Sequence, residues 1–247
     1  MDATGTRPPY CGAAPSPSEL LTRWNLDPAL IAALLLLLAW GVKATAGQTA
    51  ARRRCFLVAW GLLVLLFVSP LCALSSALFG ARVVHHVLLA AAIAPLLVAA
   101  LPRLRPPGGL ALWSGAHVAL FWLWHAPPAY SWALSHDVGY WLMQLTILGS
   151  AIGFWAAIRR APAPAAVMAL FAAMVAMGVL GALITLAMRP LYAPHRLGPL
   201  LWGLTPLEDQ QIAGLIMWAP AAGIYLAAAL LIVARWFERE RRDGVAA

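Results

Sequence analysis

The stretch VVHHVLLAAAIAPLLVAAL, Val83 to Leu101, opens with two adjacent histidines and continues as an apolar run broken only by Pro95. Its length is close to the roughly 20 residues that a helix needs to cross a bilayer at about 1.5 Å rise each. Six further apolar runs flank it, at 29–45, 55–77, 109–126, 138–158, 165–187 and 211–236. The first and fourth are short for a span. Of 247 residues, 63% are hydrophobic and 11% charged, a balance foreign to soluble domains and to disordered chains. These runs predict an all-α, polytopic membrane protein: a seven-transmembrane-helix bundle over 29–236. A mobile outer tail is expected at 1–28 and a basic cytoplasmic tail at 237–247.

The net charge of +8 is distributed in short loops, where it orients a membrane protein, so nucleic acid is excluded as a partner. Assigning loops alternately to two sides places Lys43, Arg52, Arg53, Arg54, Arg103, Arg105, Arg159, Arg160, Arg235, Arg239, Arg241 and Arg242 together. Arg7, Arg23, Arg82, Arg189 and Arg196 fall on the other side. Twelve against five makes the first side cytoplasmic, with the N-terminus outside and the C-terminus inside. Leu30 to Leu38 followed by Ala44-Thr45-Ala46 is similar to a cleavable leader, but cleavage there would strand Arg52 to Arg54 outside, so an uncleaved first helix is expected. Cys11, Cys55 and Cys72 are widely spaced, with no CxxC and no pattern of a disulfide framework.

In this topology the histidines converge on the outer face. His85 and His86 open the third run, His125 closes the fourth, His136 precedes the fifth, and His195, Glu208 and Asp209 lie in the outer loop before the seventh or at its start. His117 is eight residues from His125, about 12 Å deeper at 1.5 Å per residue. Ionisable groups at membrane depth are costly unless paired, hydrated or bound to something. Neutral imidazole is the commonest transition-metal ligand, and sulfur partners such as Cys72 and Met217 bias a site towards Cu(I). His85 and His86, being adjacent on a helix, point about 100° apart and are not expected to grip one ion together. Met168, Met174 and Met177 read as core filling. No H-E-x-x-H, G-x-S-x-G or Gly-rich phosphate loop is present, so no enzyme activity is expected. The only lysine, Lys43, sits at a helix end, which excludes a retinal Schiff base.

Several strings carry a family resemblance: SPLCAL (69–74), ARVVHHVLL (81–89), WHAP (124–127) with Tyr130, RPLYAPH (189–195), GLTPLEDQQ (203–211) and GLIMW (214–218). In this order they resemble the multi-spanning CtaG family of cytochrome c oxidase assembly proteins. The resemblance implies a seven-helix protein of the bacterial cytoplasmic (inner) membrane, serving respiratory chain biogenesis. It implies copper delivery to the buried copper centre of a haem-copper oxidase from the outer face. The expected partners are membrane lipid, the oxidase catalytic subunit and other copper chaperones.

By resemblance the matching positions are His86, His125, Asp209 and Met217. Two departures stand out. Arg82 occupies a place where relatives carry histidine, and Met143-Gln144 stands where they carry E-H, so a site here would be rebuilt with His85, Cys72 or His195. The expected site is therefore His86, His125 and His195 converging on Cu(I), with Asp209 orienting a ring N–H and Met217 or Cys72 supplying sulfur. Three other readings compete. A metal or small-molecule permease would need polar residues through the inner halves of the spans, a haem protein would need paired axial ligands at one depth, and a scaffold would leave the histidines without a ligand.

Overall fold

The structure, a computed structural model, describes residues 9–245; Arg7 and the rest of 1–8, with 246–247, lie outside the described residues. The described residues form helices and no strand, in the order α1 (Pro28–Ala44), α2 (Ala50–Phe67), α3 (Pro70–Ala77), α4 (Phe79–Leu88), α5 (Ala94–Ala100), α6 (Leu110–His125), α7 (Pro127–Ser135), α8 (Asp137–Arg160), α9 (Ala163–Leu186), α10 (Pro206–Ile216) and α11 (Ala222–Val245). All seven apolar runs are helical. Their ability to span is not uniform.

Four continuous helices are long and apolar enough to cross a membrane: Phe79–Ala100, Asp137–Arg160, Ala163–Leu186 and Pro206–Asp243. A fifth follows if α2 and α3, bent by 51°, count as one span. The first run forms a helix of 17 residues and the fourth one of 16, both short of the roughly 20 expected of a span. Seven full-length spans are therefore not what the helix lengths alone give.

Prolines explain the interruptions. Pro70 lacks an N–H and starts α3, while the Ser69 hydroxyl accepts from Leu71 N at 3.2 Å to cap it, so the expected 55–77 helix becomes two. Pro95 and Pro220 cannot make the i to i−4 bond. Each is accompanied by a π-helical turn, Leu89–Ile93 joining α4 to α5 and Met217–Ala221 joining α10 to α11.

Small residues allow a close approach between α9 and α10. A Cβ on Gly214 would lie 2.2 Å from Thr185 Oγ1 and 2.6 Å from Gly181 O, so the two backbones touch there and fix the depth of α10. Leucines and other large apolar residues on α1, α9 and α11, including Leu36, Leu183 and Leu230, face outward. An apolar exterior of this kind suits lipid contact rather than water. The largest wholly buried side chains are instead Arg82, Tyr130 and Tyr140.

The N-terminal segment differs from the mobile tail expected over 1–28. Cys11 and Cys72 form a disulfide across 61 residues. Asn25 donates from its backbone N to Val68 O at 2.9 Å and from Nδ2 to Phe67 O at 3.1 Å, covering carbonyls left open where α2 ends. Trp202 Nε1 donates to Pro15 O at 3.0 Å, and Tyr10 stacks on Tyr140 at 4.9 Å. Residues 9–27 are thus a strap over one end of the bundle, the end at which α4 and α8 begin.

Candidate functional site

That end of the bundle holds the histidines, and the helices decide which of them meet. α4 begins at Phe79, so His86 lies two turns into a helix rather than at its mouth. α6 runs the opposite way and ends at His125. The two imidazoles meet with His86 Nδ1 3.4 Å from His125 Nε2 and ring centroids 5.2 Å apart, nearly perpendicular. Both are wholly buried. His125 Nδ1 donates to Phe121 O at 2.7 Å, which fixes the tautomer and leaves Nε2 with its lone pair towards His86. The second nitrogen of His86 has no protein partner.

The separation suits a shared ion. Two imidazole–metal bonds of about 2.0–2.1 Å spread at the tetrahedral angle would hold the nitrogens roughly 3.3 Å apart. A linear two-coordinate ion would need about 4 Å by the same bond lengths. The pair therefore fits two corners of a three- or four-coordinate ion and leaves at least one position open.

The other expected ligands are placed differently. His195 is buried but engaged at both nitrogens: Tyr130 donates its hydroxyl to Nε2 at 2.6 Å, and Nδ1 donates to Ala77 O at 3.3 Å. The ring of Phe79 neighbours both His195, at 5.6 Å, and His125, at 6.5 Å, so His195 supports the wall rather than completing the pair. Burial pulls the His195 imidazole down to about 3; the Ala77 carbonyl opposes this and the Arg82 charge adds to it. His85, with neither nitrogen partnered, sits edge-on to Phe67 at 4.8 Å and 6.1 Å from His86, as the 100° offset of adjacent helical residues requires.

Two further expectations are corrected. Cys72 is not a free sulfur donor, because its Sγ is consumed in the bridge to Cys11. Asp209 does not orient an imidazole. Its carboxylate accepts from Phe79 N at 2.6 Å and Gly80 N at 3.0 Å, capping α4 and so setting the register of His85 and His86. Asp209 is itself held by the α10 capping box, in which Thr205 and Glu208 exchange side-chain and backbone hydrogen bonds.

Met217 is buried one layer inward. It lines an apolar cavity of about 10 Å³ together with Val87, Phe121, Met177, Ala221 and Tyr225, among others. Phe121 stacks on His125 at 4.5 Å, so this cavity lies directly beneath the histidine pair, and both π-helical turns contribute to its wall. Deeper still, His117 Nε2 and Tyr225 Oη meet at 2.8 Å. His136 stays exposed, against Ser135 and Trp132. Among the described residues no group of three or more His, Cys, Asp or Glu side chains is placed to hold a metal ion, so any third protein ligand for the pair must be of another kind.

Sequence reasoning missed Arg82, Tyr130 and Tyr140 as site residues. Arg82 counts in the sequence as an outer charge and as a departure from a histidine position, yet it is wholly buried with its guanidinium 5.2 Å from the Tyr140 ring centre and Nη1 3.5 Å from the Tyr140 hydroxyl. The available signal was its position, one turn before two histidines at the head of an apolar run.

Residues 109–239 match the sequence model of the family described as cytochrome c oxidase caa3 assembly factor (Caa3_CtaG). The match spans α6 to most of α11, and thus His125, Asp209 and Met217. No curated protein and no solved structure matches the chain.

Proposed function

The chain belongs to the cytochrome c oxidase caa3 assembly factor family, and from that premise we propose that it carries Cu(I) as cargo for the buried copper centre of a haem-copper oxidase, from the outer face of a bacterial inner membrane. The observation that carries this reading is the His86–His125 pair: two buried imidazoles from helices far apart in sequence, 3.4 Å apart nitrogen to nitrogen, one with its tautomer fixed by a carbonyl. Neutral nitrogen donors in an apolar setting favour a soft, weakly hydrated ion over a hard one. Met217, in the layer beneath, is a candidate thioether donor along an inward route. Exchangeable ligation of low coordination number permits release to a partner, and the apolar exterior suits lateral docking against an oxidase subunit within the bilayer.

The orientation rests on two independent supports. The positive-inside count puts the histidine end outside. A disulfide at that same end belongs to an oxidising compartment, which the outer side of a bacterial membrane is. In this reading α1 and α6 complete seven crossings as short spans that local thinning of the bilayer accommodates.

The test is competition for Cu(I) against a chromophoric chelator, using the whole protein in mild detergent. His86→Ala and His125→Ala should each weaken binding at least about 10- to 100-fold, the loss typical of disturbing even an outer partner of a metal site. His136→Ala should bind as the parent does. Deletion in cells that depend on the oxidase should lower its activity and copper content, and neither histidine variant should restore them. Parent-like Cu(I) affinity in both variants would reject the pair as the cargo site.

A further inference from the structure

Ten buried side-chain nitrogen and oxygen atoms have no hydrogen-bond partner among the described residues, and eight of them lie at the strapped end: Ser76 Oγ, Arg82 Nε and Nη2, both nitrogens of His85, His86 Nε2, and both amide atoms of Gln144. Native interiors contain few such atoms, and a cluster of them calls for an unseen occupant. α4 and α8 run inward from the same end. Arg82 lies over Tyr140 at the first turn, and the next turn of each helix brings His85 and His86 on one side and Gln144 on the other. The orphan atoms of Arg82, His85, His86 and Gln144 therefore lie in the opening turns of two helices that meet at the Arg82–Tyr140 contact.

The charge of the cluster is one-sided. Arg82 offers N–H groups and no acceptor, while Gln144, Ser76 and the neutral imidazoles of His85 and His86 can each donate or accept. Arg82 is wholly buried, and among the described residues no carboxylate lies within ion-pair distance of it. The two salt bridges among the described residues are Arg23–Glu19 and Arg242–Glu238, both at the surface. Both oxygens of Asp209 are occupied by the first two amides of α4. A buried guanidinium with free N–H groups is strongly unfavourable unless something accepts from it. Water brings as many donors as acceptors. A small anion brings only acceptors and a negative charge.

We propose that the Arg82–Gln144 region is a binding site for a small monovalent anion of the halide class, chloride being the physiological member. Tyr10, clamped onto Tyr140 beside the Cys11–Cys72 bridge, roofs the site and shields it from bulk water. The site also bears on the cargo, and this further step rests on the copper reading. A fixed positive charge near His86 disfavours a bare cation, whereas a soft halide held by Arg82 would cancel that charge and fill a coordination position that the histidine pair leaves open.

The first experiment uses metal-free full-length protein in detergent, titrated with sodium chloride or bromide against sodium gluconate at constant ionic strength. The thermal midpoint should rise saturably with either halide, by about 5–10 °C at roughly 100-fold the Kd, and stay flat in gluconate. Arg82→Gln should remove the halide response, its fold in gluconate being checked by circular dichroism. If that variant does not fold, anomalous scattering from bromide-soaked crystals of the parent should place the ion beside Arg82. An equal midpoint in chloride and gluconate, or a full halide response without Arg82, would overturn the anion site. The second experiment repeats Cu(I) competition with and without halide. Halide-independent Cu(I) affinity alongside a halide-dependent midpoint would reject the coordination step and keep the anion site, while loss of Cu(I) binding altogether would reject the cargo reading alone.

Discussion

Arg82 and Arg159 stand at opposite ends of the same helix pair, and the protein treats them in opposite ways. Arg159, in the last turn of α8, donates to Val98 O, to Pro102 O at 3.2 Å and to Leu104 O at 2.9 Å, the carbonyls exposed where α5 ends and the chain turns. A helix C-terminus leaves such carbonyls without partners and carries partial negative charge, so a cation there is both needed and satisfied. Arg82, in the first turn of α4, has one long contact to a tyrosine hydroxyl and two nitrogens with none. One arginine closes the fold; the other keeps its donors free inside it. The same residue type serves structure where the backbone supplies acceptors and points to a ligand where it does not.

The largest effect should come from the covalent strap, which has no counterpart at the Arg159 end. Closing a loop of this length removes unfolded-chain entropy worth about 2–4 kcal/mol. Cys11→Ser, or reductant added to the parent, should lower the unfolding midpoint accordingly and expose the strap to protease. An unchanged midpoint with an uncut strap would mean that the contacts of Tyr10, Asn25 and Trp202 hold it without the bridge.

The next effect tests the arginines with one identical substitution. Arg159→Met should destabilise by about 1 kcal/mol, modest because the group is largely solvated. Arg82→Met, in gluconate, should be neutral or stabilising, by up to about 1–4 kcal/mol, because it replaces an unsatisfied buried charge with an apolar chain of similar length. Thermal unfolding of both variants reads the sign. A strong loss at Arg82 in halide-free medium would show that Tyr140 and the neighbouring dipoles already satisfy it, and the contrast between the two ends would collapse.

The helices were legible because apolar runs and prolines act locally. Pro70, Pro95 and Pro220 each mark a break or a π-helical turn where the structure has one. The meeting of His86 with His125 was also legible, since both fall at the same end of neighbouring runs. What escaped was anything set by long-range packing. The pairing of Cys11 with Cys72 depends on a tail that docks through Asn25 and Tyr10, and no spacing encodes that. The capping role of Asp209 depends on the depth at which Gly181 and Gly214 let α10 seat against α9. His195 itself lies in a loop whose path is fixed by irregular turns, so its ring could be placed at the right end but not against Tyr130.

Near neutral pH the smallest effect is a titration, and it separates the loop wall from the strap. His195 is held neutral, pulled to about 3 by burial, whereas an unfolded histidine titrates near 6.5. Between those values the unfolded chain binds a proton that the folded chain does not, so stability is full above about pH 6.5 and falls steadily as pH drops below it. Asp27 has the other sign of origin: the Tyr10 hydroxyl, then the Ala29 amide, hold its carboxyl below the usual range, so its contribution survives until pH falls through that depressed value, below about 4. Acid should therefore weaken the His195 wall first and the strap afterwards. Unfolding midpoints of the detergent-solubilised protein from pH 8 to 3 should show a gentle decline below 6.5 and a steeper one below 4. His195→Gln should make the first portion shallower, the buried His85, His86, His117 and His125 keeping the rest of it, and leave the second. If it flattened neither, the Tyr130–His195 contact would open readily enough for the ring to take its proton from solvent, and the wall beside the histidine pair would be a mobile one.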